Sequence, residues 1–144
     1  MLLLDNQLCF QFYRISKQLI QTYQPVLKPL GLTYLQYLVL LILWEENNKA
    51  INITISALCE RLCLDTGTLS PLLKRMEKND WIYRRENPQD QRQVFIFPSK
   101  KSLTLKKSAS CIPQTLMKNF TQEEISLLIS IQHKLKNINL ENFK

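Results

Sequence analysis

Residues 54–97, TISALCERLCLDTGTLSPLLKRMEKNDWIYRRENPQDQRQVFIF, decide how this chain is read. Ile55, Leu58, Cys59 and Leu62 recur at helical spacing and predict a short helix over 54–62. Residues 63–65 break that pattern, and a second helix opens at Thr66 with Leu69, Leu72, Leu73 and Met76 forming one apolar stripe. Its other face carries Thr66, Thr68, Ser70, Lys74, Arg75 and Lys78, all hydroxyls and cations. Two strand-like runs follow at 81–85 and 93–97, and the polar turn formers of 86–92 join them. Helix, turn, basic helix and basic hairpin in that order predict a winged helix-turn-helix, whose second helix lies in the major groove of DNA.

Working outward, the composition fits a polyanionic partner. The chain has 144 residues, room for a single domain with one core. Its formal net charge is +7 and its sequence pI about 9.3. Charge of that size is common among soluble proteins, so its placement matters more. Lys74, Arg75, Lys78, Arg84, Arg85 and Arg92 all fall inside the proposed DNA-facing unit. Only 2 glycines and abundant apolar helical runs predict a mainly α fold with a small β wing. The run from Met1 to Leu4 is too short for a signal peptide, and the longest apolar run, 37–44, is far short of a membrane span. No membrane association is expected. A cytoplasmic location is, with the 4 cysteines reduced at rest.

The flanks predict helices. The first is expected over about 6–23, with Asp5 as its N-cap and Leu8, Phe12, Ile15, Leu19 and Tyr23 on one face. Pro25 and Pro29 interrupt that pattern, and Gly31 supplies a left-handed stop. Thr33 with Gln36 forms a capping box for a helix that is hydrophobic nearly all round, through Tyr37, Leu38, Leu40, Leu41 and Trp44. Residues 45–52 read as a polar loop, with a short strand at 50–53. After the wing, Ser99 caps a helix over about 100–119, kinked or broken at Pro113. Thr121 with Glu124 opens a last helix through about Asn139, lined by Leu127, Leu128, Ile131, Leu135 and Ile138. Residues 33–98 then form the DNA-binding unit. Residues 1–32 and 100–144 supply helices whose apolar faces exceed what one small domain can cover, which predicts a homodimer.

Several segments together resemble MarR-type regulators: Leu8-Cys9-Phe10, Gly31-Leu32-Thr33-Tyr34, Gln36-Tyr37, Leu43-Trp44-Glu45 and the run from Leu64 to Glu77. The likeness covers nearly the full chain and is greatest to the organic-hydroperoxide-sensing (OhrR-type) repressors and the related staphylococcal thiol-based regulators. It implies a two-fold dimer on a pseudo-palindromic operator of double-stranded DNA, released when one N-terminal cysteine is oxidised. In that comparison Thr66, Thr68 and Ser70 lie near base edges and backbone, Lys74 and Arg75 neutralise phosphates, and Arg84 belongs to the same cationic unit. Asp90-Gln91-Arg92 matches an Asp-x-Arg element at the hairpin tip. The resemblance implies that Arg92 enters the minor groove while Asp90 holds its side chain. Departures include Leu35, where relatives carry Pro, a longer segment at 47–54, and Ser102 in place of Gly.

The resemblance also assigns the thiol. Cys9 would be the oxidised residue, near a helix N-terminus that favours thiolate. Tyr23 and Tyr34 of the partner subunit would donate to its sulfur, with Tyr13 nearby. The resolving cysteine of some relatives aligns near Lys118 and not at Cys111, which implies that a low-molecular-weight thiol caps oxidised Cys9. Cys59 and Cys63 are read as packing. They lack a second ligand pair, and His133 is remote, so neither a metal nor another cofactor is expected. Two other readings stand beside this one. In the first, the same fold senses a small aromatic ligand and Cys9 is incidental. The second, a thiol peroxidase, lacks an Arg or Thr beside Cys9 to polarise a peroxide, and no enzymatic role is expected.

Overall fold

The computed structural model describes residues 3–109 and 111–138, and the chain forms two compact units, Met1–Lys107 and Ser108–Lys144. In the first unit the elements run α1 (Leu8–Leu27), α2 (Tyr34–Asn48), β1 (Ile53–Thr54), α3 (Ile55–Leu62), α4 (Thr66–Lys78), β2 (Ile82–Asn87), β3 (Asp90–Pro98) and α5 (Lys100–Ala109), the last crossing the boundary. The second unit holds α6 (Cys111–Met117) and α7 (Gln122–Lys136). The fold is mainly helical with a three-stranded antiparallel sheet in the order β1-β3-β2. Among the described residues no single helix is long and apolar enough to cross a membrane.

The core gathers around α2. Tyr37, Val39, Leu40, Leu43 and Trp44 are all buried there, as the all-round apolar sequence requires. Leu58 of α3, the Leu69, Leu72, Leu73 and Met76 stripe of α4, and Trp81, Ile82 and Ile96 of the hairpin are buried as well. Thr33 caps α2 as expected. Its hydroxyl accepts from the Gln36 N–H at 3.3 Å, and the Gln36 side chain accepts from the Thr33 N–H at 2.9 Å. Thr121 and Glu124 repeat the device on α7.

The ends of the elements depart from the sequence reading. Asp5 does not cap α1; it lies in a 3-10 turn over Leu4–Asn6, and Gln7 takes the N-cap position without a side-chain bond. Pro25 does not end that helix. Its fixed φ is helical, and lacking an N–H it forfeits only one bond in the final turn. The stop comes at Gly31, φ 69°, where the left-handed conformation turns the chain toward α2. Residues 45–48 are helix and not loop, because their charges find partners: Glu45 lies 2.7 Å from Lys49, and Arg61 reaches both Glu45 and Glu46 at 2.6 Å. The short strand falls at Ile53–Thr54, later than expected.

The hairpin is tighter than its polar turn suggested. Both strands run further toward the tip, leaving Pro88 and Gln89 between paired Asn87 and Asp90, with a register irregularity after Glu86. Asn87 makes this possible, since its side-chain oxygen accepts from the Gln89 N–H at 3.0 Å in an Asx turn. Ser99 caps α5, accepting from the Ser102 N–H at 3.1 Å, and Ser102 returns a bond to the Ser99 carbonyl at 3.0 Å. The helix expected over 100–119 is two helices, and Pro113 is the third residue of the second, where a missing N–H costs no helical bond. Ser110 within that span and Asn139 at the expected end of the last helix lie outside the described residues, as do Met1 and Leu2.

Candidate DNA interface and sensing cysteine

Helix α4 is built to be held from behind and read from in front. Its stripe packs inward, while Thr66, Thr68, Lys74, Arg75 and Lys78 are exposed and Ser70 is half-buried. Asp65 supplies its N-cap, a residue that the sequence reading treated only as part of the break. One carboxylate oxygen accepts from the Thr68 N–H at 2.8 Å and the other from the Thr68 hydroxyl at 2.8 Å. An Asp directly before a hydroxyl-rich first turn is a visible capping signal. These bonds, the Thr68 hydroxyl foremost, hold the Asp65 carboxyl below its ordinary range. Gly67 makes room for the cap, because a Cβ there would stand 2.9 Å from an Asp65 oxygen. Pro71 lies in the sixth position of α4, where it leaves the Gly67 carbonyl without its helical donor.

The wing sorts its cations into two kinds. Arg84 is turned inward, with Nε 3.0 Å from a Glu77 carboxylate oxygen in an ion pair that lacks hydrogen-bond alignment. It is therefore anchored to α4 and is not a free DNA-facing cation. Arg85 on the opposite face lies over the rings of Tyr83 and Phe97, at 5.2 and 5.6 Å from their centroids. Arg92, near the tip, is exposed. Asp90 contacts it through the main chain, accepting from the Arg92 N–H at 3.0 Å. The observed bond thus shapes the turn; the expectation was that Asp90 would grip the guanidinium.

The thiol and the phenols lie apart within one chain. Cys9 is the second residue of α1 and is exposed. Tyr23 and Tyr34 meet edge to face, centroids 5.1 Å apart, with Tyr37 behind Tyr23 at 5.9 Å. Burial raises the Tyr23 phenol above its ordinary value, with Tyr34 adding to the effect, and burial does the same to Tyr34. Both hydroxyls therefore stay protonated as donors at neutral pH. Tyr34 also lines an open pocket of about 550 Å³ with Ile20, Gln24, Leu27 and Leu32. Fourteen residues of helix separate Cys9 from Tyr23, about 21 Å at ~1.5 Å per residue. Tyr13 does not join the pair; it stacks on Phe10 at 6.3 Å with Lys17 over its ring.

The remaining cysteines are dispersed. Cys59 is half-buried, its Sγ 3.9 Å from the Thr66 hydroxyl. Cys63 is exposed in a left-handed C-cap, φ 53°, so it closes α3 and does not pack in the core. Cys111 is exposed at the start of α6, donating to the Ser108 carbonyl at 3.2 Å. Among the described residues no three His, Cys, Asp or Glu side chains gather as a metal site.

Comparison with known proteins identifies the family and the fold. Residues 32–94 match the model of the MarR family. The chain is 42% identical over 114 residues to the organic hydroperoxide resistance transcriptional regulator of Bacillus subtilis, covering 79% of this chain and 75% of that protein. It is 39% identical over 142 residues to the transcriptional regulator SarZ of Staphylococcus epidermidis, covering 97% and 91%. Among solved structures, reduced AbfR bound to DNA superposes with a TM-score of 0.78 at 34% identity, covering 92% of this chain and 93% of that one. Disulfide-formed AbfR superposes with a TM-score of 0.62. These relatives are regulators of transcription and not enzymes. The chain belongs to the MarR family of winged helix-turn-helix transcriptional regulators.

Proposed function

We propose that this chain is a cytoplasmic, homodimeric repressor that holds a pseudo-palindromic operator and lets go when Cys9 is oxidised by an organic hydroperoxide or a related oxidant. The observation that carries the reading is the separation of thiol and phenols. Tyr23 and Tyr34 form a protonated donor pair beside an open pocket, about 21 Å along the helix from their own Cys9. A second copy, packed through the exposed Leu8 and Ile15 of α1, can bring its thiol to that pair. Two such copies present two α4 helices to successive major grooves, about 34 Å apart. A regulator that holds operator DNA works in the compartment that contains the DNA, where thiols are kept reduced.

The step needs only the thiolate, the peroxide and a small thiol. The Cys9 thiolate attacks a peroxide oxygen, an S–O bond forms as the O–O bond breaks, and the departing alkoxide takes a proton to leave as an alcohol. The sulfenic acid then condenses with a low-molecular-weight thiol to a mixed disulfide and water. Either product is larger and more polar than a thiol, and it disturbs the packing of Tyr23 and Tyr34. The names of relatives support this, through hydroperoxide resistance in one and reduced and disulfide forms in another. The pocket beside Tyr34 also favours a second reading, in which a small aromatic ligand is the signal.

The test is operator binding by wild type and Cys9→Ser, before and after cumene hydroperoxide with a small thiol present. Release of wild type but not of the Ser variant is expected. Retention of both on DNA would leave DNA binding standing and hand the signal to a ligand.

A further inference from the structure

We propose that Thr68 reads one base of each operator half-site as a hydrogen-bond acceptor only, selecting the amino group of adenine or cytosine, because Asp65 holds the hydroxyl's single proton. The inference rests on the reading of α4 as the major-groove helix and adds the chemistry of one contact. Thr68 is the third residue of α4 and exposed, within the first turn that such helices bring to base edges.

A threonine hydroxyl has one proton to give and two lone pairs to receive. Here the proton points at an Asp65 carboxylate oxygen 2.8 Å away, and the other carboxylate oxygen takes the Thr68 N–H at 2.8 Å. An ionised carboxylate has nothing to donate in return. Bonds to a charged acceptor are about twice as strong as neutral ones, so turning the proton to a base would exchange a stronger bond for a weaker. Asp65 stays ionised at neutral pH, since its carboxyl lies below the ordinary range. Gly67 secures the arrangement, as any side chain there would crowd the same carboxylate.

In the major groove the donors are the adenine N6 and cytosine N4 amino groups, whereas guanine offers N7 and O6 and thymine O4 as acceptors. An acceptor-only Thr68 therefore favours A or C and meets G or T with two facing lone pairs. Ser70 is different: it is half-buried, and both Asp65 carboxylate oxygens already accept from Thr68. Selectivity of this kind belongs to Thr68 and not to every hydroxyl on the helix.

The experiment is selection of binding sites from a DNA pool randomised across the half-site, using the full-length dimer as wild type, Thr68→Val, Thr68→Ser and Asp65→Asn. Wild type is expected to favour A or C over G or T at one position per half-site by roughly fivefold or more. Thr68→Val should flatten that position alone, and Thr68→Ser should keep it. Asp65→Asn is the decisive variant. Its amide oxygen can still cap the Thr68 N–H, but its NH2 now donates to the hydroxyl and frees the Thr68 proton. Preference at that position should turn to G or T. A Val variant with the wild-type profile, or an Asn variant that keeps A or C, overturns the proposal while DNA binding stands. A wild type without sequence-selective binding overturns the DNA-binding reading as well.

Discussion

The helix-turn-helix with its wing and the first half of α1 belong to the same compact unit, yet they are finished to different degrees. In the former, Leu58, Leu69, Leu73 and Met76 are wholly enclosed by one chain. In the latter, Leu8 is 67% exposed and Ile15 53%, although both recur on the apolar face that the sequence displays. The DNA-reading part encloses its core within a single copy, whereas the part proposed to sense carries Cys9 away from Tyr23 and Tyr34 and leaves its apolar face uncovered.

The difference should appear first in stability. Leu73→Ala removes a fully enclosed side chain from α4, and a loss of about 2–5 kcal/mol is expected by chemical denaturation. Leu8→Ala with Ile15→Ala should leave the fold of each chain intact while raising the dimer dissociation constant roughly tenfold, about 1.4 kcal/mol, by sedimentation. A double variant that unfolds like Leu73→Ala, with an unchanged dimer constant, would break the comparison.

Next in size is the wing. Arg92→Ala should weaken binding to A·T-rich operators by about 1–3 kcal/mol with the dimer unchanged. Arg84→Ala should cost less, because that guanidinium already faces Glu77 and its ion pair is of the partly exposed kind worth about 0–1 kcal/mol. Titration of labelled operator at two salt concentrations separates them. Equal losses would mean that Arg84 leaves Glu77 for DNA.

Much of this was legible in the sequence, for reasons particular to each element. The α4 stripe and the Thr33–Gln36 box are local patterns in which spacing alone fixes the face or the cap. The end of α2 was not legible, because Glu45 and Glu46 are stabilised by Arg61, fifteen or more residues away. Arg84 looked like any other wing cation until Glu77 on a different element took it. Tyr13 lies one turn from Cys9, and its stacking on Phe10 with Lys17 over the ring could not be read from spacing alone. Asp65 was legible and passed over: its pattern of Asp followed three residues later by a donor N–H was in plain view.

The sensing half is sharpened by its phenols. Tyr34→Phe removes one donor from the pair without removing the ring that meets Tyr23. Oxidation of Cys9 by a fixed dose of hydroperoxide should slow several-fold, an effect of about 1 kcal/mol per lost hydrogen bond. Mass spectrometry of the time course reads it. Equal rates would mean that the sulfur of the second copy does not meet this hydroxyl, and the pocket beside it would then be free for a ligand.

The smallest effect lies within the DNA-reading part, at the α2 end held to α3. Lys49 and then Arg61 bond to Glu45 and hold its carboxyl down at about 2, against an ordinary 4.5. A carboxyl depressed in the folded state adds stability that is fully present above pH 4.5 and is lost as pH falls through about 2. Other carboxyls, Asp65 and Glu123 among them, are also depressed and add to the acid sensitivity of the wild type. The difference between wild type and Lys49→Gln/Arg61→Gln therefore isolates the cluster. The two stability curves should be offset at neutral pH and converge between pH 4.5 and 2. Because the cluster is exposed, the offset should shrink in high salt as well. Curves that stay parallel down to pH 2 would show that the cations hold α2 to α3 by packing along their stems, and the joint would then be insensitive to acid.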